Sequence, residues 1–390
     1  MPGRLRRHLA AARYGMIWRK PRFLARMVRF YIRSSVSPET PPLRYVDFAV
    51  DYACNLRCEH CFKTTLEANP HRPRLAWSMY PDIARQCLEL GAIHLSLQGG
   101  EVTLLDNLES LIRGMSPHRA LFSLTTNGTR ITPALASGLR AWGVDQLNIS
   151  IDSFIPEEHD RFRGVTGAWA STFAGLRHAE AAGLSVQVNT TVSRFNLYSR
   201  GFRMLVDHCI DRRILLNLVL AAPSGNWSSN RAATLEPEDV RCVRALVRST
   251  PYVRQDMDSV SLGRGCPAMK EAIYITPFGD VLCCPFIHVS FGSLHSEPLR
   301  EIMARALRYP FLKAHAPQCL VAEERVFMDR YLPRISGQAE SPAGCEEVFG
   351  PPEAMAEEYP LPQAVAVSPS EVSSLVKAWR RRCDGLPCTT

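Results

Sequence analysis

Asp51-Tyr52-Ala53-Cys54-Asn55-Leu56-Arg57-Cys58-Glu59-His60-Cys61-Phe62 is the stretch that decides how this chain is read. Three cysteines with three and then two residues between them can bring three thiolates onto one inorganic centre, in a loop that leaves the apolar run Tyr45 to Val50. An iron-sulfur cube takes one thiolate per iron, so a loop of three leaves one iron open to another ligand. A structural zinc would want four closed ligands, usually as paired C-x2-C units, and no fourth Cys or His stands at that spacing. A chance cluster of buried cysteines is the bland alternative.

Outward from the loop, short β-branched or apolar runs alternate with helical segments from Tyr45 to about Pro223. Strands are expected near 45–50, 93–98, 121–126, 146–151, 185–192 and 214–220, and helices near 79–91, 105–115, 132–142, 168–183 and 199–209. That pattern predicts an α/β fold, a partial (β/α)6 TIM-like barrel, whose site gathers at the carboxyl ends of the strands. Every polar motif falls there. Gln98-Gly99-Gly100-Glu101 ends the second strand, with glycines that let a backbone approach a ligand and a carboxylate that can pair with an ammonium group. Thr125-Thr126-Asn127-Gly128 ends the third strand and Asn148-Ile149-Ser150-Ile151-Asp152-Ser153 the fourth. Each also reads as ordinary turn chemistry, yet Ser150 and Asp152 stand two apart on one strand face and can both address the barrel mouth. Asn189-Thr190-Thr191-Val192 closes the fifth strand. Ala222-Pro223-Ser224-Gly225-Asn226-Trp227 follows the sixth, either lining a ligand or turning as a loop with an exposed Trp.

Taken in order, these motifs resemble the signature of the radical S-adenosylmethionine (radical SAM) superfamily. The resemblance implies that Cys54, Cys58 and Cys61 hold a [4Fe-4S] cluster whose open iron takes the amine and carboxylate of S-adenosylmethionine. It implies further that one electron from the cluster splits the sulfonium to a 5′-deoxyadenosyl radical, supplied by a flavodoxin- or ferredoxin-type donor. By the same resemblance Gly99, Gly100 and Glu101 hold the cofactor's amino group, while Asn127, Ser150 and Asp152 meet its ribose and carboxylate. Val102 stands where the family usually has Pro, and His60 where it often has an aromatic residue against the adenine; a planar imidazole can stack there.

A second unit contains Cys266, a hairpin from Ala272 to Cys284 turning at Pro277-Phe278-Gly279-Asp280, then Cys319 and Cys345. Four residues separate Gly279 from Cys284, which is similar to the first half of a SPASM or twitch domain. This implies an auxiliary iron-sulfur cluster on Cys266, Cys284 and Cys319, with Cys345 as fourth ligand and Cys283 as a rival. Unligated cysteines in a small hairpin domain are the alternative. Cys87, Cys209 and Cys242 lie inside expected helices and read as core, and Cys383 and Cys388 as inert.

With 390 residues, 46% of them hydrophobic, the chain can bury one large core and a small second domain. The expected division is an arm over 1–44, the barrel over 45–225, a bridging helix within 226–262 capped by Thr234, the small β-hairpin/α auxiliary-cluster domain over 263–350, and a tail over 351–390 that ends in a helix. Thirteen clustered cysteines argue for metal ligation in a reducing cytoplasm rather than for a disulfide framework. No apolar run is long enough to span a bilayer, and Arg13 interrupts the only candidate for a signal sequence. The net charge of +8 is uneven: residues 1–38 hold ten Arg or Lys and no acid, leaving 36 basic against 38 acidic over the rest. A nucleic-acid surface over the whole fold is therefore not expected. In the arm, Arg22, Arg26, Arg29 and Arg33 fall on one helical stripe, with Phe23, Leu24, Met27, Val28, Tyr31 and Ile32 opposite. Such a helix either docks on the barrel or attaches to anionic membrane at the inner face. The function expected is radical oxidation or rearrangement of a small molecule or lipid, with modification of a ribosomal peptide second. A non-enzymatic iron-sulfur carrier would also cluster thiols, but it would need neither Gly99–Glu101 nor Ser150 and Asp152.

Overall fold

The computed structural model describes residues 20–37, 41–69, 71–256, 265–313, 315–355 and 367–385. Its six central strands are β1 (Tyr45–Asp51), β2 (His94–Gly99), β3 (Leu121–Thr126), β4 (Gln146–Ser150), β5 (Ser185–Val192) and β6 (Leu215–Leu220), all parallel and in sequential order. Two features extend the expected sheet. A short strand β7 (Val253–Gln255) adds beyond β6, and β8 (Ala272–Ile275) pairs in parallel with β1 before turning back into β9 (Val281–Leu282). The hairpin expected in a separate domain thus continues the main sheet, because Ala272-Ile273-Tyr274-Ile275 matches the exposed backbone edge of Tyr45 to Phe48.

The two faces of this sheet differ sharply. Val46, Phe48, Leu95, Leu97, Phe122, Leu124, Leu147 and Ile149 share one buried core with helix residues such as Ile83, Ile112, Leu139 and Leu205. On the other face, neighbouring strands put polar residues side by side. One row is Asp47, Ser96, Ser123, Gln146 and Ser185, a second holds Thr125, Asn148 and Gln187, and a third runs Ser150, Asn189, Asn217 and Arg254. They hydrogen-bond along and across the rows, for example Gln187 Nε2 to Asn189 Oδ1 at 2.8 Å and Asn148 Nδ2 to Thr125 Oγ1 at 3.2 Å.

This polar face is the concave one. The charge of Asp256, just past β7, reaches Asp47 on β1 and Cys284 beyond β9. Six strand spacings of ~4.8 Å would separate β1 from β7 by roughly 29 Å in a flat sheet, beyond such a coupling. The sheet is therefore curled with its polar rows inside. Closed TIM barrels fill that space with branched apolar side chains; here the lining is built to hydrogen-bond.

Within the barrel, one α-helix escaped the sequence reading. Pro156–Arg163 follows β4, with Pro156 in the first turn, Glu157 and Glu158 beside it and Gly164 in a left-handed C-cap. The bridging helix runs Pro237–Ser249 and is capped by a Glu236/Asp239 box, not by Thr234. In the arm, the helix Pro21–Val36 docks through Phe23 and Phe30 against Ile93. Arg26 belongs to the docked side, its guanidinium donating to the carbonyls of Leu88 at 2.5 Å and Ala92 at 2.9 Å. Val28, Ile32 and Val36 face outward, 56%, 59% and 77% exposed.

Within the curl, Tyr45 donates to Asp47 at 2.7 Å. Burial first, and then the Asp256 charge, push the Asp47 carboxyl up to about 7 against that hydrogen bond. The folded protein thus keeps this proton to about pH 7, whereas an unfolded aspartate releases it near pH ~4, so Asp47 makes stability fall as pH rises between those values. Asp47→Asn, which is neutral throughout, should unfold at nearly the wild-type temperature at pH 4 and at a higher one at pH 8. Parallel thermal melts at the two pH values check this; a constant difference would contradict it.

Candidate functional site

The Cys54–Cys61 loop has almost no regular structure, so its course is set by what grips it. At its start, β2 runs on into the loop's base. Gly100 N donates to Asp51 O and Glu101 N to Ala53 O, both at 2.8 Å. A Cβ on Gly99 would sit 2.0 Å from Asp51 O, and one on Gly100 2.1 Å from Ala53 O, so only glycine permits this approach. In mid-loop, Arg57 N and Glu59 N donate to the carbonyls of Arg163 and Phe162 at 3.1 and 3.0 Å. At its end, Asn226 N donates to Cys61 O and Asn226 Nδ2 to Cys58 O, both at 3.0 Å. Gly225, at φ +56, lies against the same turn, where a Cβ would meet Cys61 O at 2.1 Å. The Gly225-Asn226 step therefore backs the cysteine loop, and Trp227 is buried at 3% exposure.

The other residues singled out from sequence sit around this loop in unequal ways. Glu101 is buried and fully engaged: Oε1 accepts from Thr103 N at 3.1 Å and from the hydroxyls of Thr103 and Thr126 at 2.7 Å, while Oε2 accepts from Asn127 N at 2.7 Å. A carboxylate held this way ties β2 to β3 and has little left for an ammonium group. Asn127 Nδ2 donates to Asn55 Oδ1 at 2.8 Å and Asn55 Nδ2 to Thr129 Oγ1 at 2.9 Å, which links the third strand's end to the cysteine loop. Ser150, partly exposed, stands at the end of the third polar row. Asp152 is buried against Arg163, 2.6 Å between Nη2 and Oδ2, instead of opening to the mouth. Burial alone would raise its carboxyl, but the Arg163 charge outweighs that and holds it below the usual range. His60, expected against an adenine, stacks on Phe162 with ring centres 4.5 Å apart and tilts against Trp227. Burial pushes its imidazole down to about 4, so it is neutral packing.

Cys54, Cys58 and Cys61 line one cavity of about 590 Å³ together with Arg57, Lys63 and Arg74. Cys266, Cys284 and Cys319 form a second group, since Cys266 and Cys284 both add to the charge that Cys319 feels. A detail is shared by five of these six cysteines. Leu56 N lies 3.4 Å from Cys54 Sγ, and the amides of Lys63, Ala268, Phe286 and Val321, each two residues on, favour the thiolates of Cys61, Cys266, Cys284 and Cys319. Amides directed at sulfur stabilise thiolate and tune a cluster bound to it, so the donor set fits iron-sulfur ligation. Among the described residues no three His, Cys, Asp or Glu side chains converge as a single ion would require; a cube spreads its thiolates over separate corners. Cys345 does not join the second group. It opens the short helix Cys345–Phe349 beside Tyr309 and Arg305. Asn226 lies in the stretch read as lining a ligand or turning as a loop, and it grips the cysteine loop instead. Sequence reasoning missed two neighbours of these sites: Arg163, whose helix signals were legible, and Glu323, whose Oε2 accepts from Cys319 N at 2.9 Å while Oε1 pairs with Arg244 at 2.6 Å.

A curled parallel sheet with three thiols at its carboxyl edge and three more beside it defines an α/β enzyme built around clustered sulfur. Residues 51–196 match the radical SAM superfamily and residues 266–320 the SPASM family, an iron-sulfur cluster-binding domain. The AdoMet-dependent heme synthase of Nitratidesulfovibrio vulgaris is 26% identical over 302 residues, 68% of this chain and 80% of that protein. The GTP 3′,8-cyclase of Nitrobacter winogradskyi is 29% identical over 282 residues, 68% of this chain and 79% of that one. Among solved structures, Streptococcus suis SuiB bound to precursor peptide SuiA aligns with a TM-score of 0.58 at 16% identity, covering 80% of this chain and 77% of that one. The chain belongs to the radical SAM superfamily and carries a SPASM-type region; it is an enzyme whose cofactors are a [4Fe-4S] cluster, S-adenosylmethionine and further iron-sulfur in that region. Among the described residues no helix is long and apolar enough to cross a membrane.

The grip on the loop can be tested at Gly225. Gly225→Ala combines a left-handed backbone with a collision against Cys61, and is expected to cost about 1–3 kcal/mol. Gly167→Ala, also left-handed at φ +82 but with nothing within 4 Å, should cost less. Thermal unfolding of the two variants checks the order; equal losses would mean that the Cys61 contact is immaterial.

Proposed function

We propose that this chain is a radical SAM oxidoreductase that removes a hydrogen atom from a polar substrate held against the concave face of its sheet. The observation that carries this reading is the three-row polar lining, which offers hydrogen bonds where a lipid chain would need apolar surface. Cys54, Cys58 and Cys61 would hold the [4Fe-4S] cluster, with one iron left for S-adenosylmethionine. The Gly99-Gly100 backbone and the partly exposed Ser150 would contact that cofactor, and Arg57, Lys63 and Arg74 would bring positive charge toward its carboxylate. When bound, the cluster supplies the electron that splits the sulfonium and so furnishes the carbon radical that takes the hydrogen. The protein's own part is to fix the thiols through Gly100, Arg163 and Asn226, to orient the substrate by the polar rows, and to hold a second cluster on Cys266, Cys284 and Cys319. A flavodoxin- or ferredoxin-type protein would deliver the electron. The relatives' names range over a heme synthase and a GTP cyclase, and SuiB is seen with a peptide, so the polar lining and not the family guides the substrate class. A small polar molecule ranks first and a peptide segment second.

Anaerobically reconstituted protein should hold about eight irons per chain, and about four after Cys54, Cys58 and Cys61 are changed together to Ala. That triple variant should form no 5′-deoxyadenosine on reduction with dithionite in the presence of S-adenosylmethionine. Continued formation would refute the assignment, and four irons in the wild type would remove the second cluster.

The arm supports one finer reading. Val28, Ile32 and Val36 stand outward beside exposed Arg29 and Arg33, a surface suited to anionic lipid at about 1 kcal/mol per arginine. Vesicles containing anionic lipid should co-sediment the protein at low salt, and Arg29→Glu with Arg33→Glu should release it. Equal sedimentation of the two proteins would leave the helix with its docking role alone.

A further inference from the structure

Asp152 and Arg163 form a buried pair that the sequence motifs did not foresee, and its geometry reaches the cysteine loop. Arg163 closes the helix Pro156–Arg163 with its side chain 8% exposed; Nη2 lies 2.6 Å from Asp152 Oδ2, and Nη1 donates to Cys58 Sγ at 3.6 Å. Asp152 is itself fixed, since its Oδ1 accepts from Thr191 N at 3.1 Å. A planar guanidinium that cannot lose its proton is the side chain able to span both partners at once.

We propose that Arg163 is a positioning residue that orients the Cys58 sulfur and sets the reduction potential of the cluster it ligates, with Asp152 as its anchor and counter-ion. This rests on the reading that Cys58 is a cluster ligand. A reduced cluster carries one more negative charge than an oxidised one, and a buried cation beside one of its sulfurs favours the reduced form. The carboxylate behind the arginine moderates that effect and keeps the guanidinium aimed. The helix end also holds the loop by backbone, through the carbonyls of Phe162 and Arg163, so a side-chain change removes the charge without releasing the loop.

The two members of the pair should therefore act in opposite directions. Redox titration of the reconstituted protein, followed by the electron paramagnetic resonance of the reduced cluster, reads this without reference to turnover. Arg163→Met should move the midpoint to more negative potential, with a reduction equilibrium at least tenfold less favourable, about 59 mV for one electron. Asp152→Asn should move it to more positive potential, because the cation remains and its counter-charge is gone. Arg163→Lys, which keeps the charge, should lie between Arg163→Met and the wild type. If Arg163→Met fails to fold, the sign of the Asp152→Asn shift and the place of Arg163→Lys decide. Unchanged midpoints, or shifts of the same sign in both members of the pair, would overturn the proposal. Cys58→Ala separates this from the underlying reading: loss of the cluster there with unmoved potentials elsewhere defeats the inference alone, whereas full iron and an unaltered signal in Cys58→Ala defeat the ligand assignment.

Discussion

The structure depends on backbone carbonyls in and around a nearly structureless loop being claimed by neighbouring elements. Asp51 O and Ala53 O are taken by Gly100 and Glu101 just past β2, Cys58 O and Cys61 O by Asn226, and the loop's own amides at Arg57 and Glu59 by the end of the helix Pro156–Arg163. Each such bond contributes only about 1 kcal/mol, but leaving a buried one unmade costs more. The loop is thus over-determined from three sides. Three thiols can face one cavity only if the chain between them cannot drift, and Gly99, Gly100 and Gly225 are glycine because the gripping backbones come too close for a side chain.

A second constraint follows from the curl of the sheet. Helices cover its apolar face and make a continuous core, so the strands need no apolar filling on the other side. That face is free to carry Asp47, Asn148, Gln187, Asn189, Asn217 and Arg254, which satisfy one another in part and leave groups such as Asn217 Oδ1 without a hydrogen-bond partner among the described residues. The hairpin β8–β9 widens the sheet on the β1 side and brings Cys284 within electrostatic reach of Asp256. The second cysteine group consequently belongs to the rim of the same concavity.

Much of this was legible in the sequence, for identifiable reasons. The six strands follow from apolar runs with β-branched residues, and the cysteine loop from spacing, because both are local signals. What a residue faces after folding is not local. Glu101 reads as a ligand carboxylate until Thr103, Thr126 and Asn127 are seen to occupy its oxygens. Asp152 reads as open to the mouth until Arg163, on a helix with clear start and stop residues that went unread, closes on it. His60 reads as a stacking surface for a ligand, and its ring finds Phe162 first. The arm's stripe was drawn from periodicity alone, which cannot say which side meets the barrel, and Arg26 proved to be on the docked side through the carbonyls of Leu88 and Ala92.

The central claim is that three thiolates from one loop leave a fourth corner of the cluster open to S-adenosylmethionine. The most direct measurement is the electron paramagnetic resonance of the reduced wild-type protein, before and after addition of S-adenosylmethionine carrying nitrogen-15 in its amino group. The account predicts a changed spectrum with a resolved coupling between the cluster and that nitrogen. Identical spectra with no nitrogen coupling, from protein holding its full iron, would contradict it.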